Sequence, residues 1–255
     1  MSDDGSYTIY ADESGLTERF LAYGAILLPT AETDRAEETL QGYAEPTLYR
    51  GREFSFKKCS KGEIEIYKGF AGHFWTMQNS FHIDFRAMVV DTRQNPMEST
   101  QFGCNSWEDG FYKFYHHFLF QSARIVAPQS KKFHLVVGNK TDEYPHRTQI
   151  LETTVKGALS RVFGADYDVF ELERGQPKDK RLHQMADVLL GAVTHRLNKG
   201  DMRPGHKCEL RNYVQSKVGK ELSWDFMPGE RPFNIWSFTA KGQKRWAPGS
   251  WSVGV

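Results

Sequence analysis

The sequence predicts an α/β protein, a mixed β-sheet flanked by helices. Three observations predict it. A hairpin-like pair of β-prone runs opens the chain, Tyr7–Glu13 and Phe20–Leu28, around Gly15. A third strand-like run follows at Phe81–Val90. Two more, Lys132–Val137 and Tyr167–Leu172, alternate with helical stretches. A tight hairpin is antiparallel, whereas strands joined through a helix read as right-handed parallel crossovers. The chain has 255 residues, one large domain or two small ones, and its 39% hydrophobic content supplies a substantial core.

The first strand runs into Asp12-Glu13-Ser14-Gly15. Alternation puts Ile9, Ala11 and Glu13 on one face and Tyr10, Asp12 and Ser14 on the other. A carboxylate on a central strand is costly unless something pairs with it, and a divalent metal is one such partner. The plainer reading is an acidic hairpin turn, with Gly15 supplying the reversal. Pro29 stops the second strand, and Thr33–Leu48 reads as a helix weakened by Gly42 and Pro46. Arg50–Gly62 then gathers Arg50, Arg52, Lys57, Lys58 and Lys61 around Glu53, with Phe54 and Phe56 between them. Such a stretch either holds phosphate beside a metal ligand or is a solvated loop anchored by its phenylalanines.

Lys61–Gln78 is a helix with Ile64, Tyr67, Phe70, Ala71, Phe74 and Trp75 as its buried stripe. The third strand alternates around His82, Asp84 and Arg86. A polar loop and an aromatic helix, Trp107–Ala123, follow. Its adjacent His116 and His117 diverge by ~100° and do not suit one metal. Lys132–Val137 is the clearest buried strand and ends in Gly138-Asn139-Lys140-Thr141-Asp142, the kind of strand end where α/β sites gather. Arg147–Phe163 is a helix with Ile150, Leu151, Val155, Ala158, Leu159 and Val162 inward. Lys180–Asn198 carries a regular stripe, Leu182, Met185, Ala186, Leu189, Val193 and Leu197, with His183 and Asp187 on one flank. Asp187 alone reads as a solvated helix acid, and Gly191 as a point of close approach. A helix at His206–Gly219 and a strand at Phe233–Phe238 follow. The tail, with Lys241, Lys244, Arg245, Trp246 and Trp251, is either a nucleic-acid contact or a packed extension.

The formal charge of +1 gives no global basic signature, so any nucleic-acid partner must meet a local patch. Cys59, Cys104 and Cys208 lack CxxC spacing and read as reduced cytoplasmic thiols. The acidic start, Met1–Ser6, does not read as a signal peptide, and no apolar run approaches the ~20 residues that span a bilayer. No membrane partner is expected. No HExxH pairing points to zinc.

The element order is that of the ribonuclease-H-like fold: three antiparallel strands, then two parallel ones through helical crossovers, a mixed five-stranded sheet. Three motifs sharpen this. Tyr10-Ala-Asp12-Glu13-Ser14-Gly15 resembles the N-terminal signature of a bacterial domain-of-unknown-function family numbered 3800. Glu53-Phe-Ser-Phe-Lys57 is similar to its second acidic element. Leu182-His-Gln184-Met-Ala186-Asp187-Val-Leu-Leu-Gly191 is similar to its C-terminal helix motif. The resemblance covers roughly residues 7–198 and implies a ribonuclease-H-like domain over 1–200. It also implies an insertion at about 30–80 and a C-terminal extension over 201–255 packed on the same domain. It implies Asp12, Glu53 and Asp187 as catalytic carboxylates, with Asp142 completing a site for one or two Mg²⁺ or Mn²⁺ ions. Glu13, Ser14, Asn139, His183 and Gln184 would support these ligands. Lys57 and Lys58 would contact phosphate, as could His183, which could also move a proton. Asn139 stands where an Asp is more usual and brings no charge.

The expected activity is a metal-dependent phosphodiesterase acting on DNA or RNA. A non-catalytic nucleic-acid-binding or scaffolding protein on the same fold is the alternative, and a hydrolase of a small phosphorylated molecule the third. A role in phage defence follows only from the resemblance. The oligomeric state stays open, a homodimer included.

Overall fold

The computed structural model describes residues 5–47, 52–126, 132–138, 145–164, 169–175, 180–200, 205–223, 226–227 and 229–239, with backbone alone at 145–152 and 169–175. Six strands form one sheet: β1 (Ser6–Ser14), β2 (Phe20–Pro29), β3 (Asp84–Asp91), β4 (Lys132–Gly138), β5 (Val169–Gly175) and β6 (Phe233–Ser237). Their order is β5-β4-β1-β2-β3-β6. β2 pairs antiparallel with both β1 and β3, and β4 and β5 extend the sheet parallel to β1. This is the ribonuclease-H-like arrangement, with one strand more than expected. The extra strand is the C-terminal run at Phe233, which pairs parallel with β3 and covers its edge.

Six α-helices enclose the sheet: α1 (Thr33–Thr47), α2 (Ile64–Phe81), α3 (Trp107–Val126), α4 (Pro145–Phe163), α5 (Arg181–Lys199) and α6 (His206–Val218). The alternation of β1 divides the core. Tyr10 joins one cluster with α1, α2, α5 and α6, while Ile9 and Ala11 join the other with α3 and α4. The aromatic stripes do what their spacing requires. Tyr67, Phe70 and Phe74 of α2 and Tyr115, Phe118 and Leu119 of α3 are all buried. Two local expectations fail. His82 takes a left-handed conformation (φ 51°) as the C-cap of α2, so β3 starts later, at Asp84. Val162 is 51% exposed, because it stands in the last turn of α4, while Val155 and Leu159 are buried. Ile150 and Leu151 have no described side chains.

Helix α5 sits closest to the sheet and is buried on most of its circumference. Glycines permit this. A Cβ on Gly24 of β2 would lie 2.8 Å from Leu190 Cδ1, and one on Gly191 would lie 2.2 Å from Cβ of Phe56. Gly191 is thus the point of close approach its sequence suggested, and the segment that approaches is the 3-10 turn Phe56–Lys58.

Because the Phe56 Cβ is fixed to backbone, Gly191→Ala should destabilise the protein by about 1–3 kcal/mol in urea unfolding through overpacking. Gly42→Ala in α1, where a new Cβ meets nothing within 4 Å, should instead stabilise it by roughly 0.5–1 kcal/mol. Equal effects at the two positions would show that the α5 contact is not tight.

Candidate carboxylate site

Asp12 lies near the C-terminal end of β1, paired with Gly24 of β2, on the face covered by α5. The adjacent parallel strand β4 ends at Gly138, one residue beyond the Ala11–Val137 pair. A Cβ on Gly138 would stand 3.3 Å from Cε1 of His183 and 4.0 Å from Oδ1 of Asp12. Three elements therefore converge on Asp12: β1, β4 and α5. Strand ends of this kind open crevices in α/β sheets.

Helix α5 presents a polar seam to this edge. His183 Nε2 lies 4.0 Å from Asp12 Oδ1, with the His183 side chain 1% exposed and that of Asp12 21% exposed. At that distance the pair is a contact, not a hydrogen bond. Neither ring nitrogen of His183 meets hydrogen-bond geometry among the described residues. Burial holds this imidazole below the usual histidine range, opposed by the charges of Asp187 and Glu53 and by the nearby Ala11 carbonyl. His183 is therefore neutral at pH 7. Its side chain faces Asp12 and not solvent.

Further along the seam, Thr194 Oγ1 lies 2.9 Å from Ser14 Oγ, so Ser14 is tied to α5. Asn198 grips the start of β2, its Oδ1 accepting from Phe20 N and its Nδ2 donating to Phe20 O, both at 2.9 Å. Gly15 completes the hairpin at φ +79°, where an added Cβ would stand 2.4 Å from Phe20 O. Asp187, one turn past His183, is half-buried. It lines a cavity of about 540 Å³ together with Ser14, Lys57, Thr194, His195 and Lys207.

The segment around Phe54 is locked to the N-terminus of α5. Gln184, 1% exposed, accepts from Phe54 N at 2.9 Å and from Arg181 Nη1 at 2.8 Å. Glu37 of α1 caps the helix, accepting from the backbone N–H groups of Arg181 and Leu182 at 2.7 and 3.1 Å. Burial raises the Glu37 carboxyl, and those backbone bonds oppose the shift. This network places Glu53 where its charge reaches His183. Glu53 is held in an ion pair with Lys58, so Lys58 carries a carboxylate here, while Lys57 is exposed at the cavity.

The sequence candidates thus separate. Asp12, His183 and Asp187 share one seam, with Ser14 and Gln184 bracing it and Glu53 one segment away. Glu13 points to the opposite face, where its charge acts on the buried hydroxyls of Tyr23 and Tyr115. Asn139 and Asp142 lie outside the described residues. Among the described residues no three His, Cys, Asp or Glu side chains stand close enough to hold one metal ion together. Thr194, Asn198, Glu37 and Arg181 were not singled out from the sequence. Their signal was the series His183, Asp187, Gly191, Thr194, Asn198, a second helical stripe beside the apolar one. Cys59, Cys104 and Cys208 are free thiols. Among the described residues no helix is long and apolar enough to cross a membrane.

The chain matches no protein-family model and no curated protein by sequence. Among solved structures it is similar to ribonuclease H2 from Pyrococcus horikoshii OT3, at 11% identity over 84% of this chain and 89% of that one, with a TM-score of 0.46. It is also similar to the PCNA:RNase HII complex from Archaeoglobus fulgidus, at 11% identity over 88% and 98% of the two chains, with a TM-score of 0.41. The assignment of the arrangement rests on strand order and register.

His195 gives the site a pH signature. Burial, and then the charges of Arg211, Lys207 and Lys199, push its imidazole down to about 4. An unfolded histidine titrates near ~6.5, so the unfolded state takes up the proton first and stability falls as pH drops from there toward the folded value. In His195→Gln the loss of unfolding free energy between pH 7 and 5 should be smaller than in the wild type. An identical loss would show that His195 is not held neutral.

Proposed function

We propose that the chain is a metal-dependent phosphodiesterase acting on nucleic acid, with Asp12 and Asp187 as its central carboxylates. The resemblance to family 3800 is part of this proposal. The observation that carries it is the packing of α5 on the end of β1, which sets His183 4.0 Å from Asp12, with Asp187 one helical turn further along. A carboxylate at the covered end of β1 costs desolvation, which a bound cation would offset.

The donor set fits a hard divalent ion in kind, since carboxylate oxygens are what Mg²⁺ and Mn²⁺ prefer. The absent side chain at Gly138 leaves room beside Asp12. Asp12 and Asp187 would hold the ion, and Glu53 would join them by exchanging its Lys58 partner. When bound, such an ion supplies water activation and neutralises charge on a phosphate. The protein's own part is positional. His183, neutral and buried, packs against Asp12 without competing for its charge. Ser14 is fixed by Thr194, which steadies the strand end that carries Asp12. Lys57, exposed beside Asp187, would pair with a phosphate of the strand. The alternative, a binding protein without cleavage, is favoured by Asn139, a neutral residue just past the end of β4.

The test is cleavage of labelled single- and double-stranded DNA, RNA and hybrid with Mg²⁺, Mn²⁺ or EDTA. Cleavage should require metal and fall by about two orders of magnitude or more in Asp12→Asn and in Asp187→Asn, with folding retained. Metal-dependent cleavage that survives Asp12→Asn would refute the assignment. Retained binding with no cleavage would favour the alternative.

A further inference from the structure

A second cavity, of about 630 Å³, lies on the opposite face of the sheet from Asp12. Its size is within the ~300–1,000 Å³ of small-molecule sites. The floor is the β3–β6 edge, where Arg86 stands beside Asn234 in the parallel register and Trp236 follows two residues on. The roof is α3, whose His117, Gln121 and Arg124 recur at helical spacing.

Arg86 is the anomaly. It is 2% exposed, and its Nε finds no acceptor among the described residues. Burial pulls the guanidinium down to about 10, so it still carries its charge at neutral pH. Asp84, the acid whose charge acts on it, is already paired with Arg231 through contacts of 2.9 and 2.7 Å. The Arg86 guanidinium lies 5.8 Å from the Trp236 ring centre, a weak substitute for an anion. A buried charge so lightly compensated among the described residues favours an anion beside it. Arg124 adds a second, exposed cation at the rim. His117, held below the usual histidine range mainly by burial, is a neutral hydrogen-bonding group there. Phe226, Trp236 and Phe238 supply apolar walls.

Two guanidiniums, one rising from the floor and one at the roof, match the oxygens of a phosphate. An indole wall next to them matches a base. We propose that this cavity binds a nucleoside monophosphate, free or as the 5′-phosphorylated end of a strand, with the phosphate between Arg86 and Arg124. The site shares no residue with the carboxylate seam and does not rest on the proposed activity.

The experiment is calorimetric titration of the full chain with AMP, GMP, CMP and UMP, the matching nucleosides and inorganic phosphate, followed by competition with a 5′-phosphorylated tetranucleotide. At least one monophosphate should bind one to one, and its nucleoside about tenfold or more weaker. Arg124→Gln, at an exposed position, should weaken binding several-fold without altering the melting temperature. Arg86→Gln should abolish it, with circular dichroism checking the fold. Asp12→Asn should leave it unchanged. Competition by the tetranucleotide would assign the strand end as the source, and failure to compete would assign the free nucleotide. Nucleoside binding as tight as monophosphate binding would overturn the proposal. So would affinity retained in Arg124→Gln, loss of binding in Asp12→Asn, or no binding of any monophosphate.

Discussion

The structure depends on helix α5 lying in near-backbone contact with the β1–β2 hairpin. Gly24 beneath Leu190 sets that distance, and Gly191 lets the turn at Phe56 close on the helix from another side. Only at that separation can short side chains bridge helix and strand. Ser14 and Thr194 meet hydroxyl to hydroxyl, and Asn198 spans to both backbone groups of Phe20. A longer gap would lose these bonds between helix and strand, each worth about 0.5–1.5 kcal/mol. The close packing and the polar seam therefore require one another. The seam brings Asp187 and His183 to the edge where Asp12 ends its strand.

The segment around Phe54 obeys the same economy of buried polar groups. Gln184 could not be buried in the helix unless something satisfied its amide, and the Phe54 N–H does so. Glu37 could not be buried unless donors faced it, and the first N–H groups of α5 do so. Each solution ties a loop or a neighbouring helix to the first turn of α5. Phe54 then stacks on Phe70 at 3.8 Å, extending the anchor into α2. The basic stretch is thus a rigid rim, with Glu53 and Lys57 displayed from fixed points.

Most of the fold was legible because periodicity reports burial directly. The stripe Leu182, Met185, Ala186, Leu189, Val193 and Leu197 is buried throughout, and both hairpin strands lie where their apolar runs place them. The candidate site was legible only in part. Asp12 and Asp187 stood out by their motifs. Thr194 and Asn198 did not, because a threonine or an asparagine in a helix is unremarkable until its partner is known, and their partners lie about 180 residues away. The place of the last strand was not legible for a similar reason. Phe233–Ser237 has a strand's composition, but which edge it joins is a long-range fact. His82 shows the limit at short range, since a left-handed cap looks like one more residue of the alternating strand that follows.

The sheet sorts charge by parity. On β1 the residues Asp12 and Glu13 are neighbours in sequence yet face opposite layers, one toward α5 and the other toward Tyr23 and Tyr115. On β3 the same alternation sends Phe85 and Ala87 into the α5-side core and leaves Arg86 facing α3. The consequence is that Asp12 lies on the α5 face at the end of β1, while Arg86 lies on the α3 face at the β3–β6 edge, where the nearby acid Asp84 is already paired with Arg231. A sheet's thickness of packed apolar side chains separates them, and direct pairing across it is excluded by geometry. Each group must find its counter-charge on its own side: a lysine or a cation for the carboxylates, and an anion for the guanidiniums. The near-neutral formal charge of +1 therefore says nothing of either face, since charges on one cannot pair with charges on the other.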